Sequence, residues 1–255
     1  MSMYPAVMPV LLKHACRILS AGLLLCAMLF PGHGIAGSFS VNPVRIELSG
    51  AASNAVIHVE NTGTTPVTVQ LSTMLWAQAD GRDQLRPTRE LLSTPQIFSL
   101  KPGSVQVVRV GILRKPDADK ELCYRLLLEE IPPPPPPDFK GLQVALRVSI
   151  PVFLKPPVET HEKLEVALAL RNDRQLTLSL VNGGNGSAHW AGFSLHDGAD
   201  PERVLASYPG AVYVLPGQRR DVSLQVPGVE AGRKILVRTS THGRPLEFHA
   251  TPVAP

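Results

Sequence analysis

Short segments in which apolar and polar residues alternate recur along most of this chain, and turn-forming residues separate them. Clear examples are VRIEL (residues 44–48), VTVQL (67–71) and LTLSLV (176–181). Side chains of a β-strand point alternately to its two faces, so this period indicates strands with one buried face. The 25 prolines and 20 glycines fit frequent turns better than long helices. The pattern predicts an all-β protein of the sandwich type.

A proline pair divides the strand-like segments into two series. The first series runs from residue 39 to residue 154 and ends at Pro156-Pro157. The second, shorter series begins with a predicted hairpin over residues 164–181, with its turn at Asn172-Asp173. Each series is long enough to enclose its own hydrophobic core. We therefore expect two β-sandwich domains, over residues 37–156 and 157–255.

The first 36 residues have the pattern of an export signal. Lys13 and Arg17 precede an apolar run over residues 18–30, and small residues follow it up to Ala36 and Gly37. The run is shorter than the roughly 20 residues that a membrane span needs. We expect residues 1–36 to be a signal peptide cleaved near Ala36, so that the mature protein is exported. An uncleaved membrane anchor is the alternative.

Charge and reactive side chains argue against several functional classes. The formal net charge is +4, and two of the positive charges lie in the predicted signal peptide, so a nucleic-acid partner is not expected. Cys123 is the only cysteine after residue 36, and its apolar strand favours a buried, inert thiol without a disulfide. The eight histidines lack the spacing of zinc ligands. We expect no metal, no cofactor, no small-molecule substrate and no enzymatic activity.

Six consecutive prolines occupy residues 132–137, between the predicted strands over residues 122–131 and 141–154. Proline has a fixed φ and no amide hydrogen, so such a run adopts a stiff polyproline II conformation and cannot join a β-ladder. We interpret the run as a rigid spacer.

Several sequence blocks resemble PapD-like periplasmic chaperones of the chaperone–usher family, which assemble pili and fimbriae. Each block alone is a common β motif, but together they occur in the order found in the family's N-terminal domain. The second half of the chain is similar to the family only at GRP (243–245). The blocks are FSVNPVRI (39–46), VENT (59–62), PQIFSLKPG (95–103) with VVR (107–109), EIPP (130–133), LQVALR (142–147) and FLKP (153–156).

This resemblance implies a fold and a function. The fold would be two immunoglobulin-like β-sandwich domains, set at an angle with a cleft between them. The function would be to bind, fold and cap pilus subunits by donor-strand complementation, and to deliver them to an outer-membrane usher. A self-capping dimer of the free chaperone is also implied. The alternative is an immunoglobulin-like structural or adhesive surface protein, which would self-associate.

The resemblance also implies a donor strand. Leu142, Val144, Leu146 and Val148 lie on one face of the predicted strand, where they would fill the groove of an incomplete subunit. The alternative is that this face packs into the core of its own domain. Burying one leucine or valine side chain yields roughly 1.5–3 kcal/mol, so a few such residues could supply much of a binding free energy.

Arg45 matches the family's anchor for the C-terminal carboxylate of the subunit, a role that suits a permanently charged, bidentate guanidinium. The position of the family's second cation, a lysine, is Pro151 here. Lys155, Arg147 and Arg89 are the candidates to replace it.

Three further charged residues match a structural ion-pair cluster of the family that orients the two domains. They are Glu121, Arg109 and Lys155, and we expect them to be structural rather than catalytic.

Overall fold

A computed structural model describes residues 39–135, 137–172, 175–241 and 243–254. The predicted signal peptide, residues 1–36, lies outside these residues. Nineteen strands and no helix occur in the described part of the chain, which accordingly holds no helix long and apolar enough to cross a membrane. The strands are β1 (Phe39–Asn42), β2 (Ile46–Leu48), β3 (Asn54–Asn61), β4 (Val67–Ala79), β5 (Arg82–Pro87), β6 (Leu91–Thr94), β7 (Ile97–Leu100), β8 (Val105–Ile112), β9 (Leu122–Ile131), β10 (Arg147–Leu154), β11 (Leu164–Leu170), β12 (Gln175–Asn182), β13 (Ala188–Trp190), β14 (Phe193–Asp197), β15 (Val204–Tyr208), β16 (Val212–Val214), β17 (Arg219–Gln225), β18 (Ile235–Thr241) and β19 (Arg244–Ala250).

The first ten strands form one sandwich of two sheets. One sheet has the order β1-β3-β8-β6, and the other has the order β2-β10-β9-β4-β5, with β7 also paired to β4. The pairing of β2 with β10 is parallel, whereas the other pairs of this sandwich are antiparallel. Alternate residues of both sheets enclose one core, which includes Ile57, Val69, Val108, Tyr124, Leu126 and Val152.

The remaining strands form a second sandwich with a separate core. Its sheets have the orders β11-β12-β17, β13-β16 and β15-β14-β18-β19. Trp190 is fully buried in this core, which also contains Leu178, Leu180, Leu195 and Val237. The all-β architecture with two sandwiches that the sequence pattern predicts is therefore confirmed.

Two turns of the first sandwich contain residues with positive φ. Asp80 and Gly81 both have positive φ, 52° and 71°, and join β4 to β5 in the conformation that Asp-Gly pairs favour in tight hairpins. Gly103 has a φ of 70° in the turn between β7 and β8. A side chain with a Cβ atom is strained in this region, which explains glycine at both sites.

The strand predicted over residues 141–154 begins later than the sequence pattern suggests. In the structure β10 starts at Arg147, and residues 142–146 belong to no sheet. The part of the chain that would pair with them consists largely of prolines, which have no amide hydrogen to donate. Alternation of side chains alone therefore does not establish that a segment pairs in a sheet.

Candidate functional site

The candidate site starts on β2, whose period of two places Arg45 and Glu47 on one face. Ile46 and Leu48, on the other face, are buried in the first core. The parallel pairing sets Glu47 opposite Phe153 of β10. Lys155 follows the end of β10, where its amide donates to the carbonyl of Leu48 over 2.8 Å. The four residues Arg45, Glu47, Phe153 and Lys155 are therefore brought together on the side of this sheet that faces away from its core.

Glu47 joins the two cations. The Nε of Arg45 donates to Oε1 of Glu47 over 3.0 Å, and the Nζ of Lys155 donates to Oε2 of the same carboxylate. The guanidinium of Arg45 also lies 4.2 Å from the ring centroid of Phe153, a cation–π contact. Partial burial alone would raise the pKa of Glu47, but the hydrogen bonds and charges of Lys155 and Arg45 outweigh it, and the pKa is lowered.

These residues line a cleft of about 400 Å³ between the two sandwiches. Arg45, Glu47, Glu121 and Lys155 come from the first sandwich. The opposite wall is formed by Thr160, His161, Glu162, Gly186 and Ser187. The cleft thus presents a guanidinium and an ammonium group together, the groups that bind a carboxylate through charge-assisted hydrogen bonds.

Of the candidates for a second cation, the structure brings Lys155 to Arg45. Arg147 lies at the other end of β10, where its Nε is 3.0 Å from Oε1 of Glu129. Arg89 is exposed in the connection between β5 and β6. Pro151 is buried within β10, opposite Arg125 in the β9–β10 ladder.

Two of the three residues predicted to form an ion-pair cluster line the cleft. Glu121 is buried, and its Oε2 accepts a hydrogen bond of 2.8 Å from the amide of Ser187, while its own amide donates to the carbonyl of Asn185. Glu121 therefore connects the two sandwiches through backbone groups rather than through a cation. Arg109 is exposed on β8, in the other sheet of the first sandwich, and the structure does not bring it to Glu121 or Lys155.

The predicted donor residues continue the apolar face of β10. Val152 and Ile150 of that face are buried in the first core, and Val148 and Leu146 pack partly against it. Beyond them, Val144 is 60% exposed and Leu142 is 87% exposed. One apolar stripe thus begins inside the sandwich and ends in solvent.

A small aromatic cluster joins the sandwiches beside the cleft; we call it the joint. It contains Trp76, Cys123 and Phe153 of the first sandwich and Leu215 and Tyr213 of the second. Ring centroids are 5.4 Å apart for Trp76 and Tyr213, and 6.2 Å apart for Trp76 and Phe153.

A half-buried arginine completes the joint. The guanidinium of Arg125 lies 3.6 Å from the centroid of Trp76 and 5.1 Å from that of Tyr213. Desolvation lowers the pKa of Arg125 below its ordinary value, and cation–π contact offsets part of the cost of burying the charge.

The tip of the β4–β5 hairpin extends the joint by hydrogen bonds. The amide of Asp221 donates to the carbonyl of Gly81 over 2.9 Å. The Nε2 of Gln78 donates to the carbonyl of Tyr213 over 2.8 Å, and its Oε1 accepts from the amide of Leu215 over 3.0 Å. The long hairpin therefore ties the two sandwiches by one backbone hydrogen bond and by two hydrogen bonds from the side chain of Gln78 to backbone groups of the second sandwich.

Sequence reasoning missed Glu47 and the joint. A signal for Glu47 was present, because a residue two positions after Arg45 on a strand shares its face. The joint left no comparable signal, since Trp76, Phe153 and Tyr213 are far apart in the chain. Among the described residues, no group of His, Cys, Asp and Glu side chains could hold a metal ion.

The sequence of the first sandwich matches a known family. Residues 38–159 match the family described as "Pili and flagellar-assembly chaperone, PapD N-terminal domain". No curated protein matches the chain in sequence.

Solved structures of low sequence identity share the fold. A chain of the CsuC–CsuE chaperone–tip adhesion subunit pre-assembly complex from the archaic chaperone-usher Csu pili of Acinetobacter baumannii is 18% identical, with a TM-score of 0.62. The match covers 85% of this chain and 99% of that one. A chain of the Salmonella enterica SafA pilin–SafB chaperone complex is 19% identical, with a TM-score of 0.57 and coverage of 85% and 97%. The E. coli chaperone DraB is 20% identical, with a TM-score of 0.54 and coverage of 85% and 97%.

Proposed function

Residues 38–159 match the PapD-like pilus-assembly chaperones, a family that is not one of enzymes, and we propose that this chain is such a chaperone and caps pilus subunits in the periplasm by donor-strand complementation. In this proposal residues 142–148 complete the fold of a subunit that lacks one strand, and the capped subunit is then passed to an outer-membrane usher. Two of the similar structures are complexes of a chaperone with a tip adhesion subunit or a pilin, which supports subunits as the class of partner.

The observation that carries the proposal is the apolar stripe along β10 and the segment before it. A stripe that served only the core of its own sandwich would end where that core ends. Here it continues into solvent through Val144 and Leu142. Covering these two side chains in a subunit groove would yield roughly 1.5–3 kcal/mol each, before the cost of association is subtracted.

The cleft supplies a second element of the proposal. Arg45 and Lys155 would bind the C-terminal carboxylate of the subunit by charge-assisted hydrogen bonds. From Lys155 back to Val144 the chain spans about 35 Å at the rise of an extended strand. A fixed carboxylate at one end would set the register of the whole ladder, which matters because a slip of one residue turns the apolar face away from the groove.

Co-expression with a pilus subunit lacking its own N-terminal extension tests this function. We expect the wild-type chain to co-purify with the subunit, and L142E/V144E to lose it, because two charges would enter an apolar groove. The double variant A145E/S149E is the control, since it adds the same number of charges on the opposite, exposed face of this stretch. Equal recovery with L142E/V144E and A145E/S149E would contradict the proposal.

The anchor is tested in the same experiment. R45A and K155A should reduce subunit recovery, whereas R147A, at the other end of β10, should leave it close to the wild-type level. Loss with R147A alone would instead assign the second cation to Arg147.

A self-capping dimer follows from the same stripe. In the absence of subunit, a second copy of the chain could cover Leu142 and Val144. Sedimentation of the free chain would then show a dimer that L142E/V144E dissociates.

A further inference from the structure

Prolines 132–135 lie beside residues 141–145, the donor segment, and the β9–β10 ladder defines their register. In the β9–β10 ladder, Arg147 is opposite Glu129. Continuing this antiparallel register places Leu146 opposite Glu130, position 144 opposite position 132, and position 142 opposite position 134. The residues that would extend the ladder along the donor segment are therefore prolines.

The ladder ends where the prolines begin. The amide of Glu130 donates to the carbonyl of Leu146 over 2.9 Å. The amide of Leu146 donates instead to the side-chain Oε2 of Glu130, over 3.1 Å. Between residues 132–135 and 141–145, all of them described, there is no backbone hydrogen bond. The contact that holds the two segments side by side is a side-chain bond, from Nε2 of Gln143 to the carbonyl of Pro133 over 2.8 Å.

The chemistry of proline accounts for this arrangement. A proline has no amide hydrogen, and the carbonyls of a polyproline II segment rotate around its axis with three residues per turn. Such a segment cannot present the alternating donors and acceptors of a strand. It is nevertheless stiff and extended, so a chain tethered beside it is held extended at little further entropic cost.

We infer that prolines 132–135 act as a splint: they hold the donor segment extended while denying it a ladder with its own β9. This inference rests on the proposed function. A strand added at the edge of a sheet uses one row of backbone groups, but a strand inserted between two others uses both rows. The splint leaves both rows of residues 141–145 open to a subunit, and the apolar side chains stay aligned with the stripe of β10.

The backbone hydrogen-bonding groups of a strand alternate in direction from one residue to the next, and this alternation provides a test of the splint. In an antiparallel sheet, each residue directs both its N–H and its C=O toward one neighbouring strand, and the next residue directs them to the opposite side. Glu130 is bonded to β10, so positions 132 and 134 would face the donor segment, and positions 133 and 135 would face away. The variant P132T/P134T restores amides on the facing side with a good strand former. The variant P133T/P135T makes the same chemical change on the far side and is the matched control.

Hydrogen exchange of the free, full chain is the first measurement. In the wild type, the amides of Leu142 and Val144 should exchange at close to the rate of an unfolded peptide. In P132T/P134T they should slow at least about tenfold, the sign of a new ladder, and in P133T/P135T they should not. Protection of these amides in the wild type, or no gain in P132T/P134T, would overturn the splint.

Subunit capture is the second measurement and separates the splint from the proposed function. The co-expressed subunit should be recovered at least about fivefold less with P132T/P134T than with the control, because a closed ladder must be broken before the segment can be donated. Equal recovery in the two variants would show that the ladder does not limit donation, and would overturn the inference. If the wild type itself captures no subunit while the exchange results hold, the proposed function fails and the ladder-breaking role of the prolines stands.

Discussion

Glu47 already occupies the place that the carboxylate of a bound subunit would take. It accepts from Arg45 and from Lys155, which lie 110 positions apart as residue numbers and are held together by the parallel pairing of β2 with β10. Its lowered pKa keeps it ionised at neutral pH. A subunit carboxylate must therefore displace a side chain that belongs to the chaperone, so Glu47 would weaken the anchor and make it selective.

We expect E47Q to bind free carboxylates more tightly than the wild type. The glutamine removes the competing charge from Arg45 and Lys155 and leaves the size of the side chain nearly unchanged. Acetate, titrated at pH 7 and followed by NMR of the arginine Nε–H signals, should bind E47Q roughly tenfold more tightly, a difference of about 1.4 kcal/mol.

E129Q is the control for this titration. It removes the same charge from a surface pair, Glu129–Arg147, at the other end of β10. Equal acetate affinity in E47Q and the wild type would mean that Glu47 does not compete for the anchor.

Two strands, one in each sandwich, end in the same way. β3 ends at Asn61 and β12 ends at Asn182, and both side chains are fully buried. The Nδ2 of Asn61 donates to the carbonyls of Thr65 and Leu100, over 2.8 and 3.0 Å, and its Oδ1 accepts from the amide of Gly63. Asn182 makes the equivalent bonds in the second sandwich, where its Nδ2 donates to two carbonyls. Each asparagine thereby ties a turn to a neighbouring strand.

N61A should destabilise the first sandwich by about 2–4 kcal/mol, because it leaves buried backbone groups without partners. Urea unfolding followed by circular dichroism measures the change. N54A, at the exposed first position of β3, should alter the free energy of unfolding by no more than about 0.5 kcal/mol. A loss below about 1 kcal/mol for N61A would show that water replaces the lost bonds.

Strands with clean alternation could be predicted from the sequence, and others could not. The segments that contain β4, β11 and β12 alternate over five or more residues and were predicted. β19 (Arg244–Ala250) was missed because it contains Pro245, which argues against a central strand; it is an edge strand, where proline is tolerated. β14 was missed because two of its five residues, His196 and Asp197, are polar, although both are buried.

The site was predictable only in part, for a physical reason. Arg45 and the alternating residues 142–148 are local features of the sequence. The meeting of Lys155 with Glu47 depends on a parallel register across 108 residues, which no local pattern encodes. The splint depends in the same way on which residues face the prolines.

At the scale of the whole molecule, the joint and the adjoining tip of the β4–β5 hairpin hold the two sandwiches together, and the hairpin tip leaves no space for an additional side-chain atom. Gly81, at the tip of the β4–β5 hairpin, has positive φ, and a Cβ at this position would lie 2.3 Å from Oδ2 of Asp221 in the second sandwich. Cys123 is buried in the joint, and burial, followed by the charge of Glu121, raises the pKa of its thiol. The thiol is therefore a reporter of whether the joint is closed.

G81A should open the joint and make Cys123 reactive. Pulsed alkylation with iodoacetamide, read by mass spectrometry of the peptide that contains Cys123, should show at least about a fivefold faster rate than in the wild type. G103A is the matched control, because Gly103 also has positive φ but an added Cβ would meet nothing within 4 Å. If G103A and G81A accelerate labelling equally, backbone strain alone explains the effect and the hairpin tip does not hold the joint.

The parallel pairing of β2 with β10 has a consequence for the order in which the chain can acquire its fold. Ile46–Leu48 finds its neighbour only when Val152–Leu154 has been synthesised, and contacts between such distant positions form late and slowly. The first half of the protein must therefore be synthesised before one of its earliest strands can pair. During that interval Ile46 and Leu48 lack the strand that covers them, so this protein, proposed to protect unfinished folds, passes through an unfinished state of its own.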